Sequence, residues 1–231
     1  MKTIIMPKEE CLRKAADQIQ SLIEKKTDTV LALSTGRTME GLFRELERRV
    51  EAGQLRLNRC RVFAVTEYDA DAGDLSCGAA LRQLMEKTDL PEENLVLLDA
   101  EKVAHYDELL NAAGGIDLAV LGLGDNAHIG FNEPATPFDS LSHRQKLTDA
   151  TKRQYAELFG SEDAVPGYGF TMGIHTLVTA RSIMVLAFGE EKAEAVFKML
   201  YARNDSAVPA AFLQIPLNVT VYVDEAAAKK L

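Results

Sequence analysis

The sequence predicts an α/β fold of three layers, with helices on both faces of a mostly parallel sheet. Short apolar runs without polar alternation recur at residues 29–34, 61–66, 116–123 and 183–188, and a strand of that kind is covered on both faces. Between the runs lie stretches with apolar residues at helical spacing, so buried strands alternate with amphipathic helices. Polar or glycine-containing turns follow several of the runs, at the strand ends where open α/β sheets bind ligands.

In order, residues 8–25 predict a helix with Cys11, Leu12, Ala15, Ala16, Ile19, Leu22 and Ile23 on one face. Residues 29–34 give the first buried strand. Ser34, Thr35, Gly36, Arg37 and Thr38 then lead into a helix that buries Met39, Leu42, Phe43, Leu46 and Val50. This turn fits two roles. Free amides and the helix dipole favour an anion, Gly36 permits close approach and Arg37 adds donors; alternatively Ser34 or Thr38 is an ordinary N-cap. Residues 61–66 form the next strand, ending at Thr66-Glu67-Tyr68 before an acidic loop with Asp69, Asp71 and Asp74. That loop is either a solvated turn or the source of a carboxylate folded back toward the strand end.

Residues 75–87 read as a helix with Leu81, Leu84 and Met85 inward, and residues 94–98 as a short strand. Residues 101–113 form a helix closed by Gly114-Gly115. Residues 135–165 carry loop signals and a helix at 150–159, and a lid over the site is expected there. Arg144, Lys146, Lys152 and Arg153 in that segment read as a solvated basic face. After the strand at 183–188, Gly189-Glu-Glu-Lys192 opens a helix with Val196, Phe197 and Leu200 inward. Lys192 is either an anion ligand aided by the helix dipole or a surface lysine. Residues 209–214 are a packed segment and residues 219–223 the last strand.

The densest polar cluster follows the run at 116–123. Residues 122–134 read Gly-Leu-Gly-Asp-Asn-Ala-His-Ile-Gly-Phe-Asn-Glu-Pro. Gly122 and Gly124 allow a sharp turn, and Asp125, Asn126, His128, Asn132 and Glu133 can hold or move protons. Gly122-x-Gly124-x-x-Ala127 matches a dinucleotide fingerprint, but that motif needs a helix opening at the third small residue, which Gly130 and Pro134 oppose. No cofactor is expected. His128, close to Asn126 and Glu133, reads as a histidine whose protonation is set by its neighbours; a structural histidine held by loop carbonyls is the alternative. Asp125, His128 and Glu133 lack paired-His or Cys spacing, and no metal is expected.

Composition narrows the function. A chain of 231 residues suits one α/β domain, 1–231. The formal net charge of −9 argues against non-specific nucleic-acid binding, though a local basic pocket can still hold an anion. The three cysteines, Cys11, Cys60 and Cys77, are odd in number and widely spaced, as expected for reduced thiols of a cytoplasmic protein. No apolar run approaches the roughly 18 residues of a membrane span, and the N-terminus lacks the apolar core of a secretory signal.

Residues 122–134, as Gly-x-Gly-x-x-x-His-Ile-x-Phe-Asn-Glu-Pro, resemble the signature of the glucosamine-6-phosphate deaminase (isomerase) family and its galactosamine-6-phosphate relatives. The related 6-phosphogluconolactonases share the glycine-rich turn and the histidine but not Phe-Asn-Glu-Pro. Residues 165–177 are also similar to the family's Val-Pro-x-Tyr-x-x-Thr-x-Gly-x-x-Thr-Leu, and the resemblance spans residues 29–223. It implies that family's Rossmann-like fold. It also implies a phosphate site at Ser34–Thr38 and Lys192, where Thr35, Gly36 and Thr38 match the family loop and Arg37 and Met39 do not. His128 would shuttle the ring-opening proton, with Glu133 setting its charge and orientation.

The departures fall on the chemistry. Thr66 stands where the family has the aspartate that removes the proton from the sugar carbon bearing nitrogen, although Glu67 and Tyr68 match. Asn126-Ala127 replaces Asp-Gly before the histidine, His175 stands where a glycine is expected, and Glu157 stands where some members carry a phosphate-binding arginine. A hydroxyl without an activating partner does not remove a carbon-bound proton at neutral pH, and Glu67 faces the other side of the strand. The resemblance therefore implies an isomerase/deaminase that converts a hexosamine 6-phosphate to ketose 6-phosphate and ammonia, impaired at Thr66. Two readings stand beside it: a sugar-phosphate-binding protein without turnover, and a 6-phosphogluconolactonase-like hydrolase, which needs no carbon-acid base. The expected partner is a small phosphorylated sugar, with no nucleic acid or membrane, and the expected assembly a monomer or small homo-oligomer.

Overall fold

A computed structural model describes residues 1–231. In chain order the strands are β1 (Lys2–Ile5), β2 (Val30–Leu33), β3 (Arg61–Ala64), β4 (Thr66–Tyr68), β5 (Leu95–Val96), β6 (Leu118–Gly122), β7 (His143–Lys146), β8 (Tyr168–Thr171), β9 (Ile183–Ala187) and β10 (Val219–Val223). The helices are α1 (Lys8–Lys25), α2 (Arg37–Glu51), α3 (Cys77–Glu86), α4 (Tyr106–Ala112), α5 (Asp149–Phe159), α6 (Ile174–Val178) and α7 (Ala193–Tyr201).

Seven strands form one sheet in the order β1-β10-β9-β6-β2-β3-β5, and every neighbouring pair is parallel. β2 and β9 are buried along their whole length, as strands covered on both faces must be. The expected α/β/α plan with a mostly parallel sheet is therefore the observed one. Leu33 pairs with both Ala64 and Val120, and Gly122 pairs with Leu186. The carboxyl ends of β3, β2, β6 and β9 thus lie side by side, and so do the loops that leave them.

The opposite edge is stapled by charge. The buried Asp117 accepts from Lys26 Nζ at 2.7 Å, Arg181 Nη1 at 2.9 Å and the Val30 amide at 2.8 Å. Arg49, 7% exposed, ties α2 to α1 through Asp17 and Gln20. All three cysteines are free and buried, and burial raises Cys11 and Cys77 to about 11 and Cys60 to about 12. No helix is long and apolar enough to cross a membrane.

A second sheet, antiparallel in the order β4-β8-β7, has no counterpart in the sequence reading. The strand expected at 61–66 stops at Ala64, and the chain passes through Val65 into β4, which pairs with β8 at Thr66↔Thr171. β7 is His-Arg-Gln-Lys with no buried residue, so it lacks the apolar signal that marks a strand. β1, exposed at both ends, is likewise silent. The strand expected at 94–98 shrinks to β5, and the helix expected at 101–113 becomes a 3-10 turn, Val103–His105, followed by α4. On α7, Val196 is inward as expected, but Phe197 is 41% exposed and Met199 takes an inward position.

Candidate active site

The loops after β2, β6 and β9 enclose a cleft of about 560 Å³, large enough for a small phosphorylated metabolite. Ser34 to Thr38, Thr66, Asp125, His128 and Lys192 all line it, as do Tyr155 and Glu157 of α5. Asn126, Glu133 and Glu67 do not line it.

His128 is anchored from behind. Asn126 donates through Nδ2 to Glu133 Oε2 at 2.8 Å, so its Oδ1 is the oxygen that faces the imidazole, 2.7 Å from His128 Nδ1. That assignment places the proton on Nδ1 and leaves Nε2 as the free acceptor. Thr151 Oγ1 also lies 3.2 Å from Nδ1. Burial depresses the histidine's pKa below its ordinary value, against the opposing pull of Glu133. Glu133 itself is 3.9 Å from Nδ1, beyond hydrogen-bond reach. Its carboxylate accepts from Asn126 and from the Thr148 amide and hydroxyl. Asn126 thus stands between the carboxylate and the histidine. Asn132 is fully buried and donates to the Ile129 and Met172 carbonyls, fixing the loop.

The glycines here act through space more than through torsion. Gly122 and Gly124 are not in the left-handed region; that conformation falls to Ala127, at φ +63°, and Gly130, at +58°. A Cβ on Gly124 would meet the His128 ring at 2.3 Å, so the imidazole lies directly on this residue. Ala127 holds its conformation against steric cost; the turn is closed by Ala127 N to Gly124 O and Gly124 N to His128 O.

At the other end of the cleft, Gly36 takes φ +100° and no side chain caps α2. Ser34 Oγ has no partner, and neither Ser34 nor Thr38 acts as the N-cap. The Arg37 and Thr38 amides at the start of α2 are left open, while those of Met39 and Glu40 donate to the Gly36 carbonyl; two free amides at a helix start suit an anion. Lys192 ends a 3-10 turn, Glu190–Lys192, and immediately precedes α7. It is 9% exposed, and its Nζ donates to Asp125 Oδ1. Arg37 Nη1 donates to Glu157 Oε2 of α5 at 2.7 Å. The cleft is therefore not a uniformly basic pocket: Arg37 and Lys192 each hold a carboxylate.

Thr66 lines the cleft at 6% exposure, and its only side-chain partner is Cys77 Sγ at 3.5 Å. Glu67 turns away to the amino end of α3, where it accepts from the amides of Cys77 and Gly78 at 3.1 and 2.7 Å, and it also accepts from the neighbouring Tyr68 amide at 2.7 Å. It is a helix-end anchor. Asp69 pairs with Arg144, which also stacks 3.8 Å over Tyr168; neither residue lines the cleft. No group of three or more His, Cys, Asp or Glu side chains is placed to hold a metal ion.

Sequence patterning does not single out Thr151, Gln154, Tyr155 or Lys8, all close to the site. The available signal was the polar series Thr148, Thr151, Gln154, Glu157, in which each neighbouring pair is three apart and so adjacent on a helix surface.

The family described as "Glucosamine-6-phosphate isomerases/6-phosphogluconolactonase" matches residues 7–222. A glucosamine-6-phosphate deaminase of Clostridium acetobutylicum is 36% identical over 232 residues, covering 96% of each chain. One of Bacillus velezensis is 37% identical over 230 residues, covering 95% of each. Among solved structures, a monomeric glucosamine-6-phosphate deaminase superposes with TM-score 0.96 at 32% identity over the whole of both chains. A 6-phosphogluconolactonase from Leishmania guyanensis, at 17% identity and TM-score 0.79 over 100% of this chain and 98% of that one, shares the fold. With the family matched over nearly its whole length and full-length relatives above 30% identity, this chain belongs to the glucosamine-6-phosphate isomerase/6-phosphogluconolactonase family.

Proposed function

We propose that this protein is an amino-sugar-phosphate isomerase/deaminase, converting glucosamine or galactosamine 6-phosphate to the ketose 6-phosphate and ammonia, with His128 as its proton-transferring group. The observation that carries this reading is a neutral, Nδ1-anchored imidazole with a free Nε2, sharing one cleft with the uncapped amino end of α2 and Lys192. The α2 amides, the Thr35 and Thr38 hydroxyls, Arg37 and Lys192 bind the phosphate. His128 Nε2 takes the proton from the anomeric hydroxyl and returns it to the ring oxygen, opening the ring. A proton then moves from carbon 2 to carbon 1 and another from the amine nitrogen to the carbon-1 oxygen, giving a carbon-1 alcohol and an imine at carbon 2. Water adds there, and ammonia leaves.

Thr66 brings no base to the carbon step. His128, anchored through Nδ1 with Nε2 free, is the group assigned to that step. Turnover is slow as a result, by about 10²–10⁴-fold relative to a site with a positioned carboxylate. Residues 135–165, which include α5, act as the lid. The protein works in the cytoplasm on a small phosphorylated sugar, as a monomer or small homo-oligomer, with no nucleic-acid or membrane partner.

Proton NMR with each hexosamine phosphate in deuterated water tests this reading. Slow ketose phosphate formation, lost in His128→Gln, is expected. Ligand broadening without product or carbon-2 exchange from either sugar would instead support the second reading, binding without turnover, which the Thr66–Cys77 contact favours. Acid release from 6-phosphogluconolactone, without ammonia from the amino sugars, would establish the hydrolase.

A further inference from the structure

α5 lays a polar stripe along the cleft. Thr148 holds Glu133, Thr151 touches His128, Gln154 Oε1 accepts from the Asp125 amide at 3.0 Å, and Glu157 holds Arg37. Steps of three residues drift by about 60° around an α-helix, so the row winds roughly half-way round α5, and it is the contacts just given that tie all four residues to the site. The stripe runs from the proton-transferring end of the cleft to its anion end, and its last member is an acid. Glu157 and Arg37 are both largely solvent-accessible, with side chains 81% and 70% exposed. Each is free to exchange its partner for a ligand.

We propose that Glu157 is a built-in competitor for the ligand's phosphate: it holds the Arg37 guanidinium in the free protein, and a phosphate must displace it to engage that guanidinium. This rests on the phosphate reading of the cleft. A phosphate dianion offers the planar guanidinium two oxygens and more charge than a carboxylate, so the exchange runs toward the ligand. An exposed carboxylate–guanidinium pair is weak, so the penalty on affinity is modest, and removing Glu157 should tighten phosphate binding about two- to fivefold. A carboxylate ligand, no better a partner for the guanidinium than Glu157 itself, gains least from the exchange.

Calorimetric titration of the full chain with inorganic phosphate and with glucosamine 6-phosphate tests this. Glu157→Gln should bind both about two- to fivefold tighter than the unmodified protein, and the gain should vanish in an Arg37→Ala background. Glu40→Gln, which removes another carboxylate of the same cleft, controls for generic charge and should give a smaller gain. Unchanged or weaker binding by Glu157→Gln, an equal gain from Glu40→Gln, or a gain that survives Arg37→Ala would overturn the proposal. If Lys192→Ala abolishes phosphate binding while Glu157→Gln is silent, only this inference fails. If the unmodified protein binds neither ligand, the phosphate reading fails with it.

Discussion

His128 owes its chemistry to what stands behind it. A carboxylate in direct contact would favour imidazolium; here an amide intervenes and burial dominates, so the ring is held neutral. The acid limb of kcat/KM should accordingly lie below about pH 6.5, the ordinary histidine value, and NMR titration of the His128 ring should give the same depressed midpoint. The linkage follows in sign. Because the folded pKa is lowered, the stability from a neutral His128 is fully present above about pH 6.5 and is lost as the pH falls through the folded value. In the proposed reaction Thr66 sets the other limit. Thr66→Asp should restore a carboxylate at the strand end and raise carbon-2 proton exchange by at least about 10²-fold, read by deuterium incorporation into glucosamine 6-phosphate. No gain in a variant that still binds the sugar would remove Thr66 from the reacting carbon. The histidine and its flanking polar groups were legible in the sequence because they cluster within one short loop. Thr151 was not, since its approach to His128 depends on how a distant helix docks.

At the level of elements, Glu67 shows how a residue in a matching motif can serve architecture. Its carboxylate collects three amides, two at the start of α3 and that of Tyr68 next to it in β4. Glu67→Gln should lower stability by about 1–3 kcal/mol, measured by urea denaturation, while proton exchange at carbon 2 persists in the folded fraction. Loss of exchange with unchanged stability would return Glu67 to the chemistry. α1, α2 and the buried strands could be read in advance because burial on one or both faces imprints a period on the sequence. The β4-β8-β7 sheet could not. β7 is polar throughout, β4 is a continuation of β3 displaced by one residue, and their pairing is a long-range event with no local trace. The same sheet seats Thr66, so the least legible element positions the most consequential departure.

Across the whole molecule, the parallel sheet divides labour between its two edges. The carboxyl edge carries the cleft; the amino edge carries Asp117 with Lys26 and Arg181. Asp117→Ala should cost about 1–3 kcal/mol, chiefly by leaving the buried Val30 amide unpaired, yet leave turnover per folded molecule unchanged. A fall in kcat at full occupancy of the folded state would mean that the edges communicate. The burial of all three thiols gives the molecule three internal clocks. An aromatic disulfide reagent can reach Cys11, Cys60 or Cys77 only when the surrounding structure opens, so each labelling rate times a separate fluctuation. Cys77 lies against Thr66 beneath the cleft, whereas Cys11 sits under β10 and Cys60 near the start of β3. A bound sugar phosphate should therefore slow the Cys77 clock far more than the other two, making a sulfur that takes no part in the reaction the most sensitive reporter of occupancy.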